Sequence, residues 1–348
     1  MSEVSAPSML SPKVLIPFML TGTIWGSTWF VITGQISDVP AAWGVFYRFM
    51  LATPALFVLG QDSATASIPG TGSTRMALPA SVAIADGRLV VADAGNNRVL
   101  IWNRLPVGNT PPDVVVGQLD LLTDDPGTAA DKLSFPIAAT IANNRLIVSD
   151  QDNNRVLIWN TVPTASGTPA DVVLGQQDFA SSAANDEEDG LNSPAGIWSD
   201  GFRLLVADSG NNRVMVWSQL PRTSAADASF VIGQSDFSRV TAGVGQGALR
   251  TPFGVASDGT RIWIADSGNN RVLEFDAFPI ANNALAVDVY GQDRDSYSAR
   301  LPNDDDQDSV TDDTPSARTL SSATGVSVFA NLLYVVDRNN HRVLAFPG

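Results

Sequence analysis

Cysteine is absent from all 348 residues, and histidine occurs once, at His341. The first absence excludes disulfides and thiolate metal sites and leaves the redox compartment open. The second disfavours zinc chemistry that needs several imidazoles. Positive charge is scarce: 21 lysines and arginines stand against 36 aspartates and glutamates, a net of −15. A body this acidic repels nucleic acid and anionic headgroups, so no nucleic-acid partner is expected. No Gly-x-Ser-x-Gly elbow occurs. Gly70-Thr-Gly-Ser-Thr74 reads as a connector, because no helix follows it to complete a phosphate site.

What the chain does have is repetition. Asp-x-x-Asn-Asn-Arg-Val appears at Asp93–Val99, Asp150–Val156, Asp208–Val214 and Asp266–Val272, and a fifth copy at Asp337–Val343 carries His341 in place of the second Asn. A Gly-Gln pair recurs with the same period at residues 60, 117, 175, 233 and 291. Fixed periods of this length mark a repeat architecture.

The stretch from Leu191 to Asp236 shows what one repeat contains. Pro194–Ser199 reads as a strand, and Asp200-Gly201 as a hairpin turn. Arg203–Asp208 is a second strand. Ser209-Gly-Asn-Asn212 is a tight connection in which Gly and Asn can take positive φ. Arg213–Trp217 is a third strand, and Ala228–Ile232 a fourth. Val, Ile, Trp and Phe dominate these short runs, and no helical periodicity competes with them. Four antiparallel strands at this period form one blade of a β-propeller. Trp102, Trp159, Trp217, Phe275 and Phe346 hold matching places and are expected to fill the gaps between blades.

The repeat resembles the NHL family of propellers. The likeness rests on Pro194-Ala-Gly-Ile197 and Pro252-Phe-Gly-Val255 at the blade starts and on the Asp-x-x-Asn-Asn-Arg-Val core. It implies an all-β propeller over residues 56–348, with five four-stranded blades and a six-bladed ancestor as the alternative. The fifth copy ends without a fourth strand, and Leu56–Leu59, which precedes the first Gly-Gln pair, is an orphan fourth strand that could complete it. Family propellers include binding scaffolds, receptor-like ectodomains, RNA readers and a few enzymes.

Residues 1–55 are of another kind. Val14 to Gly34 is uncharged and long enough to span a bilayer as a helix. A second apolar run from Ala41 to Leu59 is interrupted by Arg48. Ile24-Trp-Gly-Ser-Thr-Trp-Phe30 and Tyr47-Arg-Phe49 resemble the first two helices of EamA-type drug/metabolite transporters. That resemblance covers too little chain to carry a transport pathway. It implies a membrane-type helical segment, one or two helices, and Lys13 ahead of it favours an extracytoplasmic propeller.

Three functions remain in view. The leading expectation is a non-enzymatic, monomeric binding or scaffolding propeller, tethered by its N-terminal segment. Its ligand would be a protein, peptide or carbohydrate on the face where the long acidic linkers gather, since variable loops carry binding. The alternatives are a calcium-dependent lactonase or lyase and a chimera without a joint function. No catalytic or cofactor-binding residue is assigned. The pairs Asp93/Arg98, Asp150/Arg155, Asp208/Arg213, Asp266/Arg271 and Asp337/Arg342 are expected to meet across hairpins as structure, because an active site needs unlike groups converging once. Asp304, Asp306, Asp308 and Asp312 resemble a short calcium loop, although Ser309 replaces the turn glycine; a solvated charge run is the competing reading.

Overall fold

The computed structural model describes residues 58–63, 65–292, 297–304, 310–312 and 314–347. Val58–Gly348 forms one compact unit. The transporter-like stretch up to residue 57 lies outside the described residues. Among the described residues, no helix is long and apolar enough to cross a membrane.

The described chain is an all-β propeller of five antiparallel blades. Blade one consists of β1 (Pro79–Ala85), β2 (Arg88–Asp93), β3 (Arg98–Trp102) and β4 (Val114–Val116). Blade two is β5 (Pro136–Ala142), β6 (Arg145–Asp150), β7 (Arg155–Trp159) and β8 (Val172–Leu174). Blade three is β9 (Pro194–Ser199), β10 (Leu204–Asp208), β11 (Arg213–Trp217) and β12 (Phe230–Ile232). Blade four is β13 (Pro252–Ser257), β14 (Ile262–Asp266), β15 (Arg271–Phe275) and β16 (Asp288–Tyr290). Blade five has three strands among the described residues: β17 (Ala323–Phe329), β18 (Leu332–Asp337) and β19 (Arg342–Pro347).

Alternation along each middle strand sends side chains to two faces, and both faces are apolar. The trailing face of blade one (Val90, Ala92, Val99, Ile101) packs on the leading face of blade two (Leu146, Val148, Leu157, Trp159). The same arrangement joins blades two and three through Ile147, Val156 and Ile158 against Leu204, Val206, Met215 and Trp217. Blades three and four meet through Val214 and Val216 against Ile264, Leu273 and Phe275. Blades four and five meet through Trp263, Ala265 and Val272 against Leu333 and Val335. Trp159, Trp217, Phe275 and Phe346, at the ends of their third strands, therefore lie between blades, whereas Trp102 packs with Leu59, Met76 and Leu89 on blade one. Each indole N–H finds a carbonyl: Trp102 on Thr110, Trp159 on Thr168, Trp217 on Ala226.

Three details differ from the sequence reading. β10 begins at Leu204, because the Arg203 N–H is held by Asp200 Oδ1 within the turn. β12 begins at Phe230, because the Ala228 N–H donates to Glu188 O in a linker instead of to β11. In the Ser209–Asn212 connection only Asn212 takes positive φ, at 53°. Gly210 serves there by close approach: a Cβ on it would lie 2.5 Å from the Asn192 side chain.

The expected pairing of Leu56–Leu59 beside β19 is not present among the described residues. Leu59 instead packs with Met76 against Leu89, Val91, Leu100 and Trp102 on blade one. Leu56 lies outside the described residues.

Candidate functional site

The Asp-x-x-Asn-Asn-Arg stretch closes the hairpin between the second and third strand of every blade. Asp is the last residue of one strand and Arg the first of the next, and the register pairs them directly: Asp93 with Arg98, Asp150 with Arg155, Asp208 with Arg213, Asp266 with Arg271 and Asp337 with Arg342. Between them runs one turn of 3₁₀ helix, ended by Asn97, Asn154, Asn212, Asn270 or His341 in the left-handed region. Asn tolerates that conformation better than other side chains.

The structure brings all five pairs together. Arg Nε meets Asp Oδ2 at 2.7 Å in blades one, two, three and five and at 2.8 Å in blade four. The first four pairs are completely buried, and Arg342 is the partly exposed one. Each carboxylate is saturated. In blade three, Asp208 Oδ1 accepts the Asn192 N–H at 2.6 Å, and Oδ2 accepts Asn211 Nδ2 at 2.9 Å besides Arg213. The remaining guanidinium donors go to linker carbonyls. Arg213 reaches Asp186 O at 2.7 Å, Glu187 O at 3.0 Å and Gly190 O at 3.1 Å ahead of its blade, and Phe237 O after it. Arg98, Arg155 and Arg271 hold the equivalent linkers, for instance at Leu121 O, Phe179 O and Tyr297 O.

Two amides extend this clamp that sequence reading singled out without a role. The second Asn reaches the next blade: Asn154 Oδ1 accepts the Ser193 N–H at 2.7 Å, while its Nδ2 donates to Ser182 O at 2.9 Å. Asn97, Asn212 and Asn270 do the same toward Phe135, Thr251 and Ser322. The Gln of four Gly-Gln pairs (Gln118, Gln176, Gln234 and Gln292) donates Nε2 to that Asn's carbonyl and to a linker carbonyl seven or nine residues on, as in Gln176 to Asn154 O and Ala183 O, whereas Gln61 donates to Ile68 O. The period of Gly-Gln was the signal; its spatial partner was not visible in one dimension. Its glycine is required too, since Gly117, Gly175, Gly233 and Gly291 all have positive φ and a Cβ there would strike a buried leucine.

The consequence is a face on which four buried cations hold backbone carbonyls of acidic linkers, leaving the acidic side chains outside. Asp120, Asp124, Asp125, Asp178, Asp186, Glu187 and Glu188 are all exposed. Of the residues that resemble a calcium loop, Asp306 and Asp308 lie outside the described residues. Asp304 is buried, with Oδ1 lacking a hydrogen-bond partner, and Asp312 is described as well. Among the described residues, no three His, Cys, Asp or Glu side chains lie together in a way that could hold a metal ion.

Burial sets the electrostatics of the clamp. Desolvation pushes Asp150 and Asp208 up to about 6, against the pull of Arg155 or Arg213 and the donated hydrogen bonds. Asp93 and Asp266 are raised for the same reason. An aspartate with a raised folded value stabilises most fully below its unfolded value of about 3.9 and loses that contribution as pH rises through the folded value. The thermal midpoint is therefore expected to be higher at pH 5 than at pH 7.5, helped by relief of the net negative charge. In the hairpin turns, Asp200 and Asp258 are lowered by backbone and Arg hydrogen bonds that outweigh partial burial, so their contribution falls away as pH drops below about 4. A scan of midpoint against pH checks both limbs; a monotonic fall from pH 7.5 to 5 would contradict the first.

The family profile of the NHL repeat matches residues 76–102 and 320–346, the segments that carry the first three strands of blades one and five. Blades one and five of the β-propeller are thus the ones that match the NHL repeat. No curated protein matches the chain. Among solved structures, a nidogen/laminin complex is similar at 13% identity and TM-score 0.47, covering 79% of this chain and 77% of that one. The computationally designed Ika8 protein is similar at 10% identity and TM-score 0.39, covering 83% and 74%.

Proposed function

We propose that this propeller is a non-enzymatic binding module whose linker face takes a cationic segment of a protein or peptide. The observation that carries this reading is the arrangement around Arg213. Its guanidinium pins the carbonyls of Asp186 and Glu187, and the carboxylates of Asp186, Glu187 and Glu188 are exposed. A fixed backbone under free acidic side chains is a preorganised surface, and preorganisation lowers the ordering cost of binding. The Asp–Arg pair recurs in every blade, with equivalent linker partners in blades one to four, which suits a scaffold; the linkers differ in length and sequence, which suits selectivity.

The test is a displayed-peptide selection against the full chain. Lys- and Arg-rich peptides should be enriched, and their affinity should fall as salt is raised, because exposed charge pairs are screened. Replacing Asp186→Asn, Glu187→Gln and Glu188→Gln together should weaken the selected peptides about tenfold, at a few tenths of a kcal/mol per exposed charge, without moving the thermal midpoint. Enrichment of neutral or acidic peptides, or equal binding by the triple variant, would remove this reading.

A further inference from the structure

The face opposite the linkers carries a second arginine series. Arg88, Arg145, Arg203 and Arg261 stand at the turn into the second strand of blades one to four, each five residues ahead of the clamp aspartate. Three residues before the arginine, blades three and four place another aspartate. Asp200 Oδ2 accepts Arg203 Nε at 2.9 Å and Nη2 at 2.6 Å, and Asp258 Oδ2 accepts Arg261 Nε at 3.1 Å. A carboxylate on the Nε edge is therefore the companion this guanidinium takes where the turn supplies one, the charge-assisted arrangement that suits its fork. Blades one and two have Ala85 and Ala142 in that place. Arg88 is partly exposed, so water can serve it. Arg145 is only 4% exposed.

Arg145 thus sets a cation beneath the surface with no carboxylate ion-paired to it among the described residues. Nη2 donates to Asn160 Oδ1 at 2.9 Å and to Pro221 O at 2.5 Å. Nη1 has only Leu220 O at 3.4 Å, the margin of a hydrogen bond. Nε is buried and has no partner at all. Burial and the charge of Arg222 both lower this guanidinium, against a smaller pull from Asp171. Asp171 is exposed, and its Oδ2 is engaged by the Asn160 N–H at 2.7 Å. Arg222 directly follows the Pro221 carbonyl that Arg145 holds; it is exposed and makes no hydrogen bond or ion pair among the described residues. A buried charge without a counter-charge is costly, and an unmet buried donor marks a missing acceptor.

We propose that Arg145 and Arg222, between blades two and three on the turn face, form a binding site for one carboxylate of a ligand, which takes the part that Asp200 and Asp258 play in the next two blades. The carboxylate accepts from Arg145 Nε, and Arg222 supplies the second positive charge. The weakly held Nη1 can turn toward it. The ligand class follows from the sibling blades, where the same edge of the same side chain meets a planar carboxylate twice. Asn144, the chain neighbour of Arg145, and Asn160, its hydrogen-bond partner, are exposed and offer amides to the rest of the ligand. A free organic acid and the C-terminus of a peptide share this chemistry. The site lies on the face opposite the linkers and does not depend on binding there.

The full chain would be titrated with acetate, with a short uncharged peptide bearing a free C-terminus, and with the same peptide amidated, chloride holding the ionic strength constant. Ligand-observed NMR and the thermal midpoint report binding. The expected result is saturable binding of a carboxylate with a rise in midpoint beyond the chloride control, and no such effect of the amidated peptide. The tighter of acetate and peptide acid identifies the source of the carboxylate. Ala142→Asp supplies the counter-charge within the chain and should abolish the binding. Arg222→Gln, at an exposed and unpaired position, should weaken it several-fold and leave the midpoint of the ligand-free chain unchanged. The triple variant of the linker face should bind the carboxylate as the natural chain does. Absence of saturable binding by either carboxylate, or binding that survives both Ala142→Asp and Arg222→Gln, overturns the proposal and leaves Arg145 a fastener of the Leu220-Pro221 loop.

Discussion

Arg213→Met should lower the stability of the propeller by about 3–5 kcal/mol, the largest effect expected of any polar substitution in the molecule. The side chain is wholly buried, and its loss leaves the Asp208 carboxylate buried without a cation. It also frees the carbonyls of Asp186, Glu187, Gly190 and Phe237 that the guanidinium gathers. Four acceptors and a carboxylate then need water in a place that excludes it. A shift in thermal midpoint on the order of 10 °C is expected. Arg342→Met in blade five should cost much less, because Arg342 is partly exposed and solvent can replace it. Thermal and urea unfolding of the two variants side by side check the contrast.

Trp159→Ala is the second large effect. The indole is among the largest fully buried side chains and lies in the cluster joining blades one and two. Removing it forfeits its burial and opens a cavity at an interface of two rigid sheets that cannot collapse to fill it. Such losses cost about 3–5 kcal/mol. The orphaned Thr168 carbonyl, which accepts the indole N–H at 2.9 Å, adds to the cost. Because neighbouring blades stabilise one another through these faces, the damage should spread to both blades; amide exchange should quicken in β1–β8 before β13–β16. Trp102→Ala removes a side chain that is also buried, in the blade-one cluster with Met76 and Leu89, and should cost a similar amount.

Much of this was legible in the residues. Short runs of Val, Ile and Trp between Asp-Gly and Asn-Asn turns predict the strands, and Pro194–Ser199 and Arg213–Trp217 have the bounds read from the chain. The Asp–Arg hairpins followed from their places at consecutive strand ends. What escaped were contacts between repeats. Gln176 meets Asn154 O across 22 residues, and Asn154 meets Ser193 across 39. Neither distance leaves a trace in a local pattern. Gly210 was credited to backbone conformation when crowding by Asn192 requires it. The strand expected to complete blade five, Leu56–Leu59, lies partly outside the described residues; Leu59 packs against Met76 and Trp102 of blade one, the kind of pocket that a preceding blade's last residue fills.

The account rests on the Asp–Arg hairpins being scaffold, with selectivity left to the linkers they hold. The coupling between Asp208 and Arg213, from a double-mutant cycle of Asp208→Leu and Arg213→Met in urea unfolding, tests this most directly. The account predicts a favourable coupling of about 2–3 kcal/mol, with the double variant more stable than Arg213→Met alone, because removing both partners leaves no buried charge unmatched. Coupling near zero, with each single variant within about 0.5 kcal/mol of the natural chain as surface positions are, would contradict it.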